Sequence, residues 1–196
     1  MMLVEETQVA EAALPVDAFK AHLRLGSGFS ETDLQDDLLV AFLRAALAAI
    51  EARTSKALIQ RGFVVTFEAW QNYGQQNLPI APVQSVTDVV VVDAFGGTDV
   101  MDPGKYRLIK DNFAPKLRAL GSFPSVPEDG SVEIRFQAGF GFSFGDVPDD
   151  LKQAVMLLAA HYYEYRDETA LGQGCMPFGV TSLIARYRPV RIGLGA

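Results

Sequence analysis

The sequence repeats apolar residues at helical spacing over residues 147–167. Steps of three and four residues place these side chains on one face of a helix. The predicted apolar face consists of Leu151, Ala154, Val155, Leu158, Ala159 and Tyr162. Pro148 suits the first helical turn, and the two aspartates that follow it favour the positive end of the helix dipole. We therefore predict a long amphipathic helix that buries this face against the rest of the chain.

Two further helical stretches lie near the start of the chain. Residues 15–25 begin with a proline, carry one apolar face and stop at the glycines of 26–28. Ser30 opens a longer helix that runs to about Arg53. Its predicted apolar face consists of Leu34, Leu38, Phe42, Ala45 and Ala49. The alanines allow close approach of another helix, either in the same subunit or in a neighbouring copy.

Between these helices the pattern alternates with a period of two residues, which is typical of strands. The predicted strands are residues 63–68, 83–92, 105–109, 115–120 and 131–138. The run 83–92 is rich in β-branched side chains and is predicted to be a buried strand that turns at Gly96 and Gly97. No helix alternates with these strands, so we predict an α+β fold with an antiparallel sheet.

The order of the elements predicts four regions. Residues 1–14 show no clear period and are predicted to be a flexible arm. Residues 15–60 and 147–168 form a helical core, and residues 61–146 form an inserted β-rich lobe. Residues 169–196 form a C-terminal arm with a short helix. This arm carries many apolar residues for a terminus, so it either folds back on the core or contacts a partner.

Composition narrows the class of protein. The chain has 196 residues, of which 49% are hydrophobic, and this is enough for a sizeable core. No run approaches the length of a membrane span. The single Cys175 permits no internal disulfide, and the start of the chain lacks the pattern of a signal peptide, so we expect synthesis in a reducing cytoplasm.

The formal net charge of -7 argues against a protein that binds nucleic acid over a broad surface, because such binding needs clustered lysine and arginine. Acidic residues are frequent in the first fifty positions, whereas the charges after Glu168 are Arg186, Arg188 and Arg191 only. A basic tail on an acidic body can dock on an acidic neighbour. Ordinary variation of the surface explains the same distribution.

The candidate chemistry is weak. Gly139, Gly141 and Gly145 lie between a strand and a helix, but their spacing is not that of a nucleotide-binding loop, and a glycine turn that lets aromatics pack is the simpler interpretation. His161 and Glu164 share a helical face, yet one histidine with one carboxylate is a poor metal site. Nothing in the sequence gives Cys175 a base. We predict no catalytic residues, cofactor or metal.

Taken together, several segments resemble the head-tail connector, or adaptor, proteins of long-tailed phages and of phage-derived gene transfer agents. The segments are AHLRL (21–25), AAIEARTSKALIQRGF (48–63), LPIAPVQSVTDVVVVD (78–93), VEIRFQAGFG (132–141), VPDDLKQAVMLLAAHYYEYRD (147–167) and PFGVTSLIARYRP (177–189). None of them is decisive alone, but they cover nearly the whole chain in the family's order.

The resemblance implies a structural protein of the neck of a virion or virus-like particle. Similar proteins assemble, typically as twelve copies, beneath the portal protein of a DNA-filled capsid, and the other end of the ring receives a stopper or tail-terminator protein. The implied fold is a helical bundle of the connector type, with two long helices, short terminal helices and an inserted β-rich lobe. DNA passes through the channel without sequence-specific binding, which an acidic wall favours.

The resemblance, with the apolar and basic C-terminus, also predicts site residues. Those predicted to dock on the portal or a neighbour are Phe178, Val180, Leu183, Ile184, Arg186, Tyr187, Arg188 and Arg191. Those predicted to form helix contacts between subunits are Ala45, Ala46, Ala49, Tyr162 and Tyr163. Two alternatives stay open: a stopper or tail-terminator ring of the same particle, and a small enzyme or ligand-binding protein that uses the 139–145 turn.

Overall fold

The computed structural model describes residues 1–23, 33–165 and 176–189. The chain divides into a β-rich unit, Met1–Val9 and Ile59–Phe142, and a helical unit, Ala10–Leu58 and Ser143–Ala196. The fold is α+β with antiparallel sheets, as the sequence predicted. The predicted helix stop at 26–28 and the predicted cap at Ser30 lie outside the described residues.

The β-rich unit holds two antiparallel sheets. Its strands are β1 (Met2–Glu5), β2 (Arg61–Phe67), β3 (Gln75–Asn77), β4 (Val83–Val92), β5 (Thr98–Val100), β6 (Tyr106–Ile109), β7 (Lys116–Ala119) and β8 (Ser131–Ala138). The larger sheet has the order β1-β2-β8-β4-β5, and the smaller sheet has the order β3-β7-β6. The buried positions of β8 alternate with half-buried ones, which confirms the predicted period of two.

The first residues differ from the prediction of a flexible arm. Strand β1 pairs with β2, although all four of its side chains are exposed. Arg61 is buried and its Nε lies 2.8 Å from a carboxylate oxygen of Glu5. Arg135 on β8 lies 3.1 Å from Glu6. Main-chain pairing and these ion pairs hold the segment, and none of them produces a hydrophobic period in the sequence.

The helical unit contains α1 (Val16–His22), α2 (Asp33–Thr54), α3 (Asp149–Glu164) and α4 (Phe178–Ile184) among the described residues. Helix α3 packs against both α2 and α4. Its buried residues are Leu151, Ala154, Val155, Leu158 and Ala159, which confirms most of the predicted face, while Tyr162 is half-buried. The last predicted residues of this helix lie outside the described part of the chain.

The predicted apolar face of α2 is wrong at two positions, while Phe42 and Ala49 are half-buried and the side chain of Leu34 is outside the described part of the protein. Leu38 is 40% exposed and Ala45 is exposed, whereas the buried residues lie about one position further along the helix. The buried residues of α2 are Leu39, Val40, Leu43, Ala46, Leu47, Ile50 and Thr54. Apolar residues occupy nearly every position from 38 to 50, so the period alone does not select a face, and packing against α3 decides it.

Candidate assembly surfaces

Helix α4 and the helical turn that follows it place three of the predicted docking residues in the core of the helical unit. Val180 is 0% exposed, Ile184 1% and Tyr187 9%. Their spacing of four and three residues puts them on one side of the α4 segment, which packs on α3. The prediction that these side chains anchor a neighbour therefore does not fit this structure, because they already pack within their own subunit.

The remaining predicted docking residues are accessible. Phe178 is 87% exposed at the first turn of α4, Leu183 is half-buried, and Arg188 is exposed. Arg191 lies outside the described residues. Phe178 is a large apolar side chain with nearly all of its surface in water, so it is the strongest apolar docking candidate of the segment.

Arg186 is exposed but meets an acidic group of its own chain. Its Nη2 lies 2.7 Å from Oδ2 of Asp150 at the start of α3, and the Tyr187 hydroxyl donates to Oδ1 of the same carboxylate at 2.8 Å. The hydrogen bond to Tyr187 raises the pKa of Arg186 above its ordinary value. Burial is the main cause of the raised pKa of Tyr187. These contacts tie the residues that follow α4 to α3.

The residues predicted to form helix contacts between subunits also include both buried and accessible side chains. Ala46 is 0% exposed and belongs to the subunit's own core, so it is corrected from a contact between subunits to a core residue. Ala45 is exposed, Ala49 is half-buried, and Tyr162 and Tyr163 are half-buried. Tyr163 also makes an edge-to-face contact with Phe42 of α2, with ring centroids 6.1 Å apart.

The exposed side of α2 lies beside this core. It consists of Leu38, Ala41, Ala45 and Ala48, which follow one another at steps of three and four residues. The side is narrow and built mostly of small residues, so another helix can approach it closely. Of the α2 residues predicted to contact another subunit, this side keeps Ala45 and excludes the buried Ala46 and the half-buried Ala49.

Gly139 ends β8 at a close approach of two main-chain segments. Its φ is +141°, and a Cβ there would lie 2.3 Å from the nitrogen and the Cα of Gln60. Gln60 donates its backbone N–H to the carbonyl oxygen of Gly141 at 2.7 Å. This glycine is therefore required by backbone packing. Of the interleaved aromatics, Phe144 is buried, whereas Phe142 is 74% exposed.

Ser143 and Asp146 close the turn that leads into α3. The Asp146 carboxylate accepts hydrogen bonds from the backbone N–H and the hydroxyl of Ser143, both at 3.0 Å. The backbone hydrogen bond is the main cause of a lowered pKa of Asp146. This arrangement is a capping box, and it gives the acidic residue a local structural role.

The weak metal and thiol candidates gain no support as sites. Among the described residues, no group of three or more His, Cys, Asp and Glu side chains is placed to hold a metal ion. The His161 ring packs 4.7 Å from that of Tyr165, and Cys175 lies outside the described residues. Within the same residues, no helix is long and apolar enough to cross a membrane.

A basic face on the smaller sheet was missed by the sequence analysis. Residues 105–118 contain five basic residues and one acidic residue, which is unusual in a chain of net charge -7. The pairing of β6 with β7 places Arg107 directly opposite Arg118. The change in composition was visible in the sequence, but only the strand register shows that Arg107, Lys116 and Arg118 share a surface.

Comparison with solved structures places the chain among particle proteins. A chain in the neck of an empty gene transfer agent (GTA) particle, computed with C6 symmetry, is 50% identical, with a TM-score of 0.89 and coverage of 100% of this chain and 99% of that chain. A chain of the virion of a native GTA particle is 50% identical, with a TM-score of 0.87 and the same coverage. The protein belongs to the family of GTA neck proteins.

A third structure supports the same family. A chain in the neck of a native GTA particle, computed with C12 symmetry, is 47% identical, with a TM-score of 0.85 and coverage of 100% of this chain and 99% of that chain. A scan of protein-family models and a search of curated proteins gave no match. The GTA neck relatives are structural components of particles, which confirms the predicted resemblance at the level of the family and of the neck.

Proposed function

We propose that this GTA neck protein is a head-tail adaptor subunit, which forms a ring between the portal protein of a DNA-filled capsid and the next neck or tail component. The observation that carries the proposal is the full-length similarity to neck structures with C6 and C12 symmetry. Symmetry about one axis means that each copy meets its neighbours through the same pair of different surfaces, and such contacts close into a ring. We expect twelve copies.

The helical unit supplies candidate contacts between copies. The exposed residues Ala45 and Ala48 on α2 allow a neighbouring helix to approach closely, and the half-buried Ala49, Tyr162 and Tyr163 have surface left for a partner. Tyrosines of this kind contribute large contact areas at low entropic cost. The contact excludes Ala46, whose side chain already packs inside the subunit.

The C-terminal segment supplies the candidate contact with the portal. Phe178 provides the exposed apolar anchor, and Arg188 and Arg191 provide positive charge for acidic groups on the portal. Arg186 contributes from its exposed side while it stays paired with Asp150. This surface is smaller than the one predicted from the sequence, because Val180, Ile184 and Tyr187 are buried in the core of the helical unit.

The adaptor fits the geometry better than a stopper or tail-terminator ring. Those proteins more often consist of compact β-barrels, whereas here α2 and α3 are long helices that pack against each other. A role as an enzyme lacks a supporting set of residues in the described part of the chain. The net charge of -7 suits a ring through which DNA passes without adhering to the protein.

Exposed phenylalanines provide a direct test. Phe178→Ala should leave the chain folded but lower the yield of tailed particles, because the portal contact loses its apolar anchor. Phe142→Ala is the matched control, since Phe142 is 74% exposed and belongs to the β-rich unit. Electron microscopy of particles from cells that carry each variant would count filled heads without tails. Normal tailing of the Phe178 variant would contradict the proposed portal contact.

A deletion tests the adaptor role as a whole. Cells that lack this chain should accumulate filled heads and separate tails, and a plasmid copy should restore joined particles. Joined particles at the normal yield in the absence of the chain would contradict the proposed function.

A further inference from the structure

Charge is strongly segregated along the β-rich unit. Residues 62–104 contain no lysine or arginine, and residues 119–134 contain none either. Between them, residues 105–118 carry five basic residues and one acidic residue, a formal charge of +4. The rest of the chain then has 12 basic and 23 acidic residues, a formal charge of -11 against the -7 of the whole. The basic stretch therefore contrasts with the acidic remainder of the chain.

The strand register places three of these basic side chains on one face of the smaller sheet. Side chains alternate between the faces of a sheet, so Lys116 and Arg118 of β7 share a face, and Arg107 lies opposite Arg118 on that face. On the other face, Leu117 is 0% exposed. We define the basic face by Arg107, Lys116 and Arg118.

The basic face is not neutralised by its own chain. In the described part of the protein, none of its three basic side chains forms an ion pair. Like charges directly opposite each other on neighbouring strands destabilise a sheet. The Arg107 and Arg118 pair thus costs stability in the free subunit, and an acidic partner would remove that cost.

An acidic end of the larger sheet carries the complementary charge. The end of β2 pairs with the start of β8, and the end of β4 pairs there too, so the adjoining loops meet at one end of the sheet. We define the acidic end by four exposed residues: Glu68, Asp99, Glu128 and Asp129. Phe95, at the tip of the turn between β4 and β5, is 99% exposed beside them.

We propose that the basic face of one copy docks on the acidic end of the next copy in the neck ring. This inference rests on the proposed ring, and it names a contact through which the ring closes. Two different surfaces of one chain make a head-to-tail contact, as a closed ring of identical subunits requires. Complementary potentials fix the order of neighbours and speed their association, while a reversed contact would bring like charges together.

A second copy explains the surroundings of the basic face better than DNA does. Phe113, in the turn between β6 and β7, and Leu120, after β7, are each 60% exposed. Phosphate binding needs cations and gains nothing from such side chains. Arginine together with exposed phenylalanine is typical of the centre of a protein interface. The acidic end is, moreover, present on every neighbour in a ring.

Reciprocal charge reversal tests this contact. The first variant is Arg107→Glu with Arg118→Glu. It keeps like charges opposite each other, so the repulsion between these two positions of the sheet stays the same. The second variant is Glu128→Lys with Asp129→Lys, and the third combines all four changes. Arg53→Glu and Glu11→Lys are control reversals at exposed positions of the helical unit. Circular dichroism and thermal unfolding of each purified chain check that it folds.

The measurement is the number of copies of this chain per particle, by quantitative mass spectrometry, with microscopy of the neck. Each of the first two variants should lower incorporation by roughly tenfold or more, because like charges then meet across the contact. The combined variant should return to within about twofold of the original chain, since its reversed surfaces again match. The two control reversals should incorporate normally.

Three results would overturn the contact. Normal incorporation of both reversed variants would show that these surfaces do not meet, although the original chain would still form the neck ring. Loss in both variants without recovery in the combined one would reject their pairing. Normal rings with loss of salt-dependent binding of duplex DNA by the first variant would assign the basic face to nucleic acid. Absence of the original chain from the neck would instead reject the proposed function.

Discussion

The helical unit and the β-rich unit differ in how far their apolar side chains are buried. In the helical unit, the apolar residues near the C-terminus that suggested a partner are mostly packed on α3, with Val180 and Ile184 almost completely buried. In the β-rich unit, Phe95, Phe113 and Leu120 stay exposed. Apolar content alone therefore does not locate an assembly surface. It does not distinguish an exposed apolar side chain, which is available to a partner, from one that is buried in the core of its own subunit.

The same contrast holds for charge. The exposed Arg186 of the helical unit is paired with Asp150, whereas the basic residues of β6 and β7 form no ion pair in the described part of the chain. A paired charge gains less from a new partner than an unpaired one. The two proposed contacts therefore differ in kind: the one in the helical unit relies on an apolar anchor, and the one in the β-rich unit relies on charge.

Neighbouring alanines on α2 give the largest expected difference. Ala46→Asp places a charge in the core of the helical unit and should lower the free energy of unfolding by about 4 kcal/mol. Ala45→Asp should change it by less than about 0.5 kcal/mol, since Ala45 is exposed. Urea denaturation measures both values. Equal stabilities would show that the face of α2 assigned to the core is wrong.

The Ala45 variant also tests the contact between copies. It should fold as a subunit but enter the neck poorly, because a carboxylate would stand where a second helix approaches. Particle composition would show this, and normal incorporation would remove the exposed side of α2 from the ring contact.

Two residues of helix α4 are assigned different roles, one in packing within the subunit and one in docking. Ile184→Ala removes a side chain that is 1% exposed and should lower the free energy of unfolding by about 3 kcal/mol. Phe178→Ala, six residues earlier at an exposed position, should leave stability nearly unchanged. Thermal and urea unfolding provide the measurement. A destabilised Phe178 variant with a normal Ile184 variant would reverse the roles given to the two residues.

Gly139 tests the backbone packing of the β-rich unit. Gly139→Ala should cost about 2 kcal/mol, because φ is positive and the new Cβ would overlap the backbone of Gln60. Gly121→Ala is the matched control in the same unit, as a Cβ there meets nothing within 4 Å. Unfolding by urea measures both variants. If Gly139→Ala is as stable as the control, the close approach is not required.

Asp146 gives the smallest expected effect, and its sign follows from the lowered pKa. Hydrogen bonds from Ser143 favour the charged carboxylate in the folded state, so its pKa falls below the ordinary 3.8. The contribution to stability is present above pH 3.8 and is lost as the pH falls through the lower, folded-state pKa. Asp146→Asn should lower the Tm by at most a few degrees at pH 7.

The pH dependence is the control for that change. The difference in Tm between Asp146→Asn and the original chain should shrink in acid, where the original carboxyl is also neutral. A difference that stays constant from pH 7 to pH 3 would mean that the ionised hydrogen bonds do not stabilise this turn.

Much of the β-rich unit followed from the sequence. The predicted ranges 83–92 and 131–138 agree with β4 and β8, because alternating burial imposes a visible period on Val132, Ile134 and Phe136. Three strands were missed for a physical reason. Strands β1 and β5 have only exposed side chains, and β3 consists of three polar residues, so main-chain pairing forms them without a hydrophobic pattern.

The helices show where the pattern is sufficient and where it fails. In α3 the spacing predicted the buried face, although residues 154–160 are all apolar. In α2, positions such as Leu38 and Leu39 are equally apolar, and only the partner helix decides which of the two is buried. The same limit applies to docking: a sequence places Phe178 and Ile184 on one short helix, but burial assigns one to the surface and the other to the core.

The basic face required knowledge of the register. Arg107 and Arg118 are eleven positions apart in the sequence, and antiparallel pairing brings them opposite each other. The family, by contrast, was predicted from ordered segments along the whole chain, and the GTA neck structures confirm it as far as a neck protein of a GTA particle. Family membership was thus accessible from the sequence, whereas the contact surfaces depended on folding.

The most direct test of the adaptor role is a cryo-electron microscopy reconstruction of the neck of particles assembled with this chain. The density should show a ring of twelve copies of this fold next to the portal, with α4 on the portal side. A neck without this chain, or a chain present away from the portal, would contradict the adaptor role.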